Sequence, residues 1–335
     1  MNYNLIRSLL FLLNPELSHN FSLKAMKSLE QIGLLNHFIT KAASTPRKLL
    51  GLTFENPVGL AAGLDKNGDY IDVLGSLGFG FIEIGTVTPK PQSGNPKPRM
   101  FRLEKDQAII NRMGFNNKGV DHLVGQVKKK KYQGVLGINI GKNATTAIEN
   151  AIQDYLYCLD KVYAHASYIT INISSPNTPG LRSLQGTEHL TSMLGELKKR
   201  QDQLANQHNK YVPLIIKISP DLNSQEIIDM AGAFLENKID GIIATNTTLD
   251  RINLNSIYAN ESGGLSGQPL FDKSTQVLSQ LKKLVNGQIP IIASGGIMSA
   301  DQAKTKIEAG ADLVQLYTGF IYQGPSLIAE CCKVM

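Results

Sequence analysis

From residue 58 onward, eight short apolar runs recur along the chain, most of them followed by a stretch with helical periodicity. The runs are Val58–Ala62, Gly80–Gly85, Gly134–Ile140, Tyr168–Ile173, Leu214–Ile218, Gly241–Thr245, Pro290–Ala293 and Asp312–Leu316. Segments between them, such as Ala144–Tyr163 and Glu188–Leu204, repeat apolar residues at the spacing of one helix face. Near-continuous apolar strands suit a sheet covered on both faces, and their alternation with helices implies parallel pairing. Eight such units in roughly 280 residues fit a closed (β/α)8 TIM barrel better than an open doubly wound sheet. With 335 residues, 42% of them hydrophobic, the chain can bury a core of that size.

Residues 1–45 have a different texture and are expected to form an N-terminal helical arm ahead of a barrel at 46–335. Leu5, Ile6, Leu9, Leu10 and Leu13 make one apolar face. Ser18 is the expected N-cap of a second helix carrying Phe21, Ala25, Leu29 and Ile32, with Gly33 ending it. Two readings of this pattern stay open: a helical cap docked on the barrel, or an arm lying on a membrane surface. Leu9–Leu13 is too short to span a bilayer, and no convincing cleavage site follows it. The expected location is therefore cytoplasmic, soluble or peripheral to the membrane. Cys158, Cys331 and Cys332 lack metal-ligand or CxxC spacing and suit a reducing compartment. The net charge of +6 is spread widely, and Lys128–Lys131 reads as a solvated helix end rather than a nucleic-acid patch.

The C-terminal ends of the expected strands carry the polar residues, and barrel enzymes keep their sites on that face. Asn139, Asn172 and Lys217 sit inside otherwise apolar runs, and Thr245 and Asn246 end the sixth. One such group is usually a satisfied structural residue. A ring of them around a single mouth is costly unless a ligand or neighbour satisfies it. After the fourth run comes Ser174-Ser175-Pro176-Asn177-Thr178-Pro179-Gly180, where two prolines stiffen a loop of hydroxyls and amides. Ser294-Gly295-Gly296 and Thr318-Gly319 end the last two runs and offer backbone N–H groups to a phosphate. Two inserts, Thr88–Met113 and Thr247–Leu270, leave strands at the same face and are expected to form lids or pocket walls. Within the first, Met100–Leu103 and Ala108–Ile110 can pair as a hairpin. No histidine falls at a strand end, so neither a His-based triad nor a metal centre is expected.

The segments NPVGLAAGLDKNG, EIGTVTPKPQSGNPKPRMFRL, NRMGFNN, GINIGKN, NISSPNTPGLRSLQG, IKISPDL, ATNTT, GGLSGQPL, SGGI and LYTG resemble the class 2, quinone-linked dihydroorotate dehydrogenase family across essentially the whole chain. The resemblance implies one FMN lying across the barrel mouth. Its phosphate would rest on Gly296, Tyr317 and Thr318, helped by Gly267. Its ring would meet Ala62, Gly63, Thr86, Asn139, Asn172, Lys217 and Thr245, with Leu64, Asp65 and Lys66 in the adjoining turn. Lys66, Asn111, Asn172, Asn177 and Asn246 would hold dihydroorotate, with Arg112, Met113, Gly114, Phe115 and Thr247 adding contacts.

By the same resemblance, Ser175 is the base that takes the substrate's C5 proton, Thr178 the proton relay and Phe115 its shield. The arm would admit ubiquinone or menaquinone, with His19, Arg102 and Tyr317 at the quinone's polar head. Class 1 relatives carry a cysteine in place of Ser175. The rival readings are another flavin barrel (a class 1 enzyme or a dihydrouridine synthase), a phosphosugar isomerase or aldolase, and a membrane-surface binding protein that uses only the arm.

Overall fold

A computed structural model of the chain describes residues 3–35, 39 and 42–335. Each expected run forms a strand within one or two residues of its expected ends. In chain order the strands are β1 (Arg47–Leu49), β2 (Leu52–Phe54), β3 (Val58–Leu60), β4 (Phe81–Val87), β5 (Met100–Leu103), β6 (Ala108–Asn111) and β7 (Val135–Ile140). They continue with β8 (Tyr168–Asn172), β9 (Leu214–Ile218), β10 (Gly241–Ala244), β11 (Gly264–Gly267), β12 (Ile291–Ser294) and β13 (Leu313–Leu316). Eight of them, in the order β3-β4-β7-β8-β9-β10-β12-β13, close into a parallel barrel with helices outside.

Side chains alternate inward and outward along each strand, so the interior is built in storeys. The lowest is an apolar plug of Phe54, Phe81, Val135, Tyr168, Ile215, Ile243, Ile292 and Leu313. Phe54 comes from the β1–β2 hairpin and meets the Phe81 ring edge-on, with centroids 5.1 Å apart. Fully burying a phenylalanine contributes about 1.5–3 kcal/mol, so this hairpin seals the barrel floor at a gain. The plug is wide because glycines face its rings: a Cβ on Gly59 or Gly137 would fall 2.2 Å from Phe81 or Tyr168. Two residues further along their strands lie Glu83, Thr170, Lys217 and Gln315, all buried, which turns the next storey polar. That polar layer forms the floor of the cleft at the mouth.

Both inserts stand over the mouth, and they join each other. β5 and β6 form the expected hairpin, and β11 from the second insert pairs antiparallel with β6. The third strand was not anticipated, because Gly264-Leu265-Ser266-Gly267 has little intrinsic strand preference and gains its order from β6.

The arm forms two helices, α1 (Tyr3–Phe11) and α2 (Pro15–Gln31). Asn14, not Ser18, caps the second: its side chain accepts from the Glu16 N–H, and Pro15 takes the first helical position. Ser18 lies inside the helix on its buried side. Gly33 follows the helix end with φ +74, the expected left-handed stop. Residues 1–2, 36–38 and 40–41 of the expected arm lie outside the described residues. Tyr3 donates to the Ile321 carbonyl at 2.7 Å and Arg7 to that of Tyr322 at 2.9 Å, which docks the arm on the barrel's last turn. A docked pair of helices leaves the membrane reading open as well. Leu5, Leu9, Leu12, Leu13, Leu17 and Phe21 remain exposed on its outer side. Among the described residues no helix is long and apolar enough to cross a membrane.

Candidate active site

Asn172, at the end of β8, is the hub of the cleft. Its amide N–H2 donates to Thr86 Oγ1 at 3.0 Å and to Asn139 Oδ1 at 3.2 Å. Its oxygen accepts from the Ser174 backbone N–H at 3.3 Å and from Asn246 Nδ2 at 3.4 Å. Nearby, Asn177 Nδ2 donates to the Asn111 carbonyl at 3.0 Å. The amide side chains of Asn111, Asn172, Asn177 and Asn246, from two barrel strand ends and one lid, thus face the same space. Their orientations are fixed mainly by one another, the arrangement expected of groups that must present donors to a ligand.

Ser175 lies in the wall of this space, 6% exposed, and its Oγ accepts the Asn177 backbone N–H at 3.3 Å. The loop that carries it is clamped from behind by Arg182. The guanidinium donates to the Ser174 carbonyl at 3.1 Å and the Thr247 carbonyl at 2.9 Å, and pairs with Asp221 at 2.8 Å. Prolines and clamp together hold the serine on a rigid support. Thr178, three residues on, has a buried hydroxyl with no hydrogen-bond partner among the described residues.

Two lysines reach the cleft. Lys66 donates to the Gly63 carbonyl at 2.9 Å. Burial, and then the charge of Arg99, push its ammonium down to about 8, while Glu16 and Asp65 act the other way. Lys217 stands on the polar floor, where burial lowers its pKa and Glu83 offsets part of the cost. Gly63, Gly267, Gly295 and Gly296 bring bare backbone to the cleft wall. A Cβ on Gly296 would lie 2.3 Å from Phe271 Cα, so only glycine allows this turn to pack so closely on the neighbouring helix.

Of the expected site residues, the cleft collects Ala62, Gly63, Lys66, Thr86, Asn111, Met113, Gly114, Phe115, Asn172, Ser175, Asn177, Lys217, Thr245, Asn246, Thr247, Gly267, Gly296, Tyr317 and Thr318. Five others stand away from its wall. Asn139 lies one layer below, holding Thr86 at 2.5 Å and Glu83 at 2.8 Å. The Asp65 carboxylate is spent on the backbone N–H groups of Asn67, Asp69 and Tyr70. Arg112 turns outward to Glu261 at 2.6 Å and the Phe101 ring, and Leu64 faces a second cavity. Thr178 is buried and does not line the cleft.

The structure adds groups that the strand ends did not announce. Glu83 is fully buried and accepts from Asn139, Tyr168 and Gln315 at 2.8–2.9 Å. Gln315 donates through its nitrogen and leaves its side-chain oxygen without a partner among the described residues, and Ser266 comes in from β11. Glu83 and Gln315 each lie two residues beyond a plug residue, and that period of two was the available signal.

A second cavity, about 590 Å³ and mostly apolar, opens between the arm and the barrel. Leu10, Phe11, Leu23, Met26, Leu29 and Ile109 line it, and His19, Arg102 and Tyr317 are among its polar residues, with Tyr3, Asn4, Ser18, Ser22, Gln323 and Ser326. Tyr317 lines both cavities and is the wall between them. Arg102 donates to the Leu10 carbonyl at 3.1 Å and to that of Leu13, with Phe11 stacked at 4.5 Å, so it also caps α1. Burial, with Lys66 adding to it, pushes the His19 imidazole down to about 4 and keeps it neutral.

Residues 45–335 match the family profile described as dihydroorotate dehydrogenase. The quinone-type dihydroorotate dehydrogenase of Cellvibrio japonicus is 58% identical over 328 residues, covering 98% of this chain and 96% of its own length. That of Aeromonas salmonicida is 59% identical, with 98% of both chains covered. A crystal structure of the Eimeria tenella dihydroorotate dehydrogenase with ferulenol superposes with a TM-score of 0.87 at 40% identity, over 96% of this chain and 90% of that one.

Proposed function

The chain belongs to the dihydroorotate dehydrogenase family, in its class 2, quinone-dependent branch, and from that premise we propose which of its residues carry each part of the reaction. It is an oxidoreductase of pyrimidine biosynthesis that oxidises dihydroorotate to orotate with a quinone as acceptor. The family is a flavoenzyme family, and the cleft suits FMN. The bare backbone of Gly63, Gly267 and Gly296, the unpartnered oxygen of Gln315 and the buried Lys217 match the needs of a flat polar ring with a phosphate tail. Bound there, FMN would supply a hydride acceptor for C6 of dihydroorotate and a route for the electron pair onward to quinone.

The remaining work falls to the chain itself. Lys66 pairs with the substrate carboxylate, and Asn111, Asn172, Asn177 and Asn246 hold the ring by its amides and carbonyls. Met113, Gly114, Phe115 and Thr247 complete the enclosure, and Arg112 supports them from outside the wall, its side chain on Glu261 and its carbonyl held by Asn95. Ser175 takes the C5 proton. A serine is a weak base at its free pKa, so position and an exit for the proton must compensate. The unpartnered hydroxyl of Thr178 is the first stop on that exit, with Phe115 keeping bulk water out. Lys217, on the cleft floor, would hold the polar edge of the ring and supply positive charge there. Ala62, Thr86, Thr245, Tyr317 and Thr318 shape the flavin's surroundings, and Leu64, Asp65 and Asn139 support them from outside the wall.

Residues 1–45 are the quinone and membrane arm. Its exposed leucines rest on the cytoplasmic face of the membrane, and the chamber beneath admits the tail of ubiquinone or menaquinone to Arg102, His19 and Tyr317. The observation that carries this reading is the double exposure of Tyr317. Tyr317 is the residue common to the polar cleft and the mostly apolar chamber, and two adjoining cavities of opposite character suit a two-substrate electron carrier better than a phosphosugar enzyme.

The test is the visible spectrum of the purified protein under anaerobic conditions. Flavin bands that bleach with dihydroorotate and return with quinone are expected. In a chain lacking residues 1–45 they should bleach normally but return slowly with long-chain quinone. A colourless protein, or bands unmoved by dihydroorotate, would sink the assignment of the cleft.

A further inference from the structure

Lys306 is fully buried, and no step described above uses it. It projects from the helix Ala300–Glu308, which follows the Ser294-Gly295-Gly296 turn, back toward the first turn of the helix Phe271–Val285. Its Nζ donates to Ser274 Oγ at 2.6 Å and to the Phe271 carbonyl at 3.3 Å, and lies 4.9 Å from the centre of the Phe271 ring. Ser274 Oγ in turn has the carbonyls of Leu270, Phe271 and Gly295 at 2.9, 3.0 and 2.9 Å, with one proton to share among them. A short chain of hydrogen bonds therefore runs from a buried ammonium to the Gly295 carbonyl. Leu270, Gly295 and Gly296 all line the cleft.

A buried cation is costly unless an anion compensates it. The one acid acting on Lys306 is Asp272, which is exposed to solvent and forms no ion pair with it among the described residues. What Lys306 faces through Ser274 is the back of the glycine turn whose front offers N–H groups to the cleft. Burial pushes its pKa down to about 7, so an anion placed nearby would favour the charged ammonium.

We propose that Lys306 is a positioning residue for a phosphate monoester dianion in the cleft, fixing the Gly295–Gly296 turn through Ser274 and supplying the buried positive charge behind it. The proposal rests on the reading that the cleft holds FMN by its phosphate at this turn. It distinguishes FMN from riboflavin, which has the same ring and no phosphate.

The test strips the flavin from the full chain and titrates the protein with FMN and with riboflavin, following flavin fluorescence. Lys306→Met should bind FMN about 10- to 100-fold more weakly, the scale of a lost charge-assisted hydrogen bond, and riboflavin as before. Ser274→Ala keeps the ammonium and removes only the link. It should weaken FMN about 3- to 10-fold with riboflavin again unchanged, and it serves if the lysine variant does not fold. Equal weakening of both ligands, or of neither, would overturn the role of Lys306. A wild-type protein that binds FMN and riboflavin equally would overturn the phosphate reading itself, and this inference with it.

Discussion

Glu16→Gln tests how the arm is fastened to the catalytic domain. Glu16 stands in the first turn of α2 and accepts from Arg99 Nη2 at 2.7 Å and from its Nε at 3.3 Å, with Lys97 at 3.6 Å. Arg99 is only 7% exposed, and its remaining nitrogen donates to the carbonyls of Ser93 and Asn95 at 2.6 and 2.9 Å. Asn95 donates to the Asn177 carbonyl at 3.2 Å, so one guanidinium ties the arm to the loop over the substrate. Glutamine keeps the shape and removes the charge, which leaves Arg99 buried without its counter-ion. The expected cost to docking is about 2–4 kcal/mol, or a thirtyfold or greater shift toward the undocked arm. Turnover with a long-chain quinone should fall at least tenfold, while turnover with a small water-soluble acceptor stays within about twofold. Protease should cut the arm faster. Acid should do the same to the parent chain. Burial alone would raise the Glu16 carboxyl, but Arg99 and Lys97 outweigh it and hold the pKa below the usual 4.5. A folded pKa below the unfolded one means that the docking energy is complete above about 4.5 and drains away as pH falls through the lower value. The glutamine variant should lack that acid step. Unchanged quinone turnover and unchanged cleavage in the variant would refute the reasoning.

Three further expectations follow from the same geometry. Lys66 is held near pH 8 by burial, so the free enzyme loses this charge above that point and substrate binding must restore it; the KM for dihydroorotate should climb with pH above about 8, and Lys66→Met should abolish the climb. Gly296→Ala meets a backbone neighbour at 2.3 Å and adds about 1–2 kcal/mol of strain at φ +80, so the purified variant should carry little flavin, as read from its flavin-to-protein absorbance ratio. Arg182→Met unclamps the Ser175 loop at three points and should slow flavin reduction by about tenfold or more at unchanged flavin content, measured by rapid mixing.

The barrel was legible because its strands are mostly apolar runs and most of them are bounded by glycine, proline or asparagine. The cleft was legible for a related reason: Asn172 and Lys217 stand out against isoleucines, and a strand end is where such residues find a ligand. What escaped was whatever depends on two distant segments meeting. β11 takes its order from β6, Arg182 clamps a loop through Asp221 and Thr247, and Tyr317 divides two cavities, yet no local pattern announces these pairings. Arg112, Leu64 and Asp65 show the converse. They sit among cleft residues in sequence, but their side chains are claimed by Glu261, the apolar chamber and three backbone N–H groups. The arm is intermediate: its helices follow from apolar spacing, while the cap moved from Ser18 to Asn14 because Pro15 favours the first helical position.

The central claim is that Ser175, on its clamped loop, takes the substrate proton. Anaerobic rapid mixing of the purified protein with dihydroorotate at neutral pH measures that step alone, before any quinone takes part. Ser175→Ala should keep its flavin and its substrate affinity and reduce the flavin about 10²–10⁴-fold more slowly. Reduction at the parent rate would contradict the account.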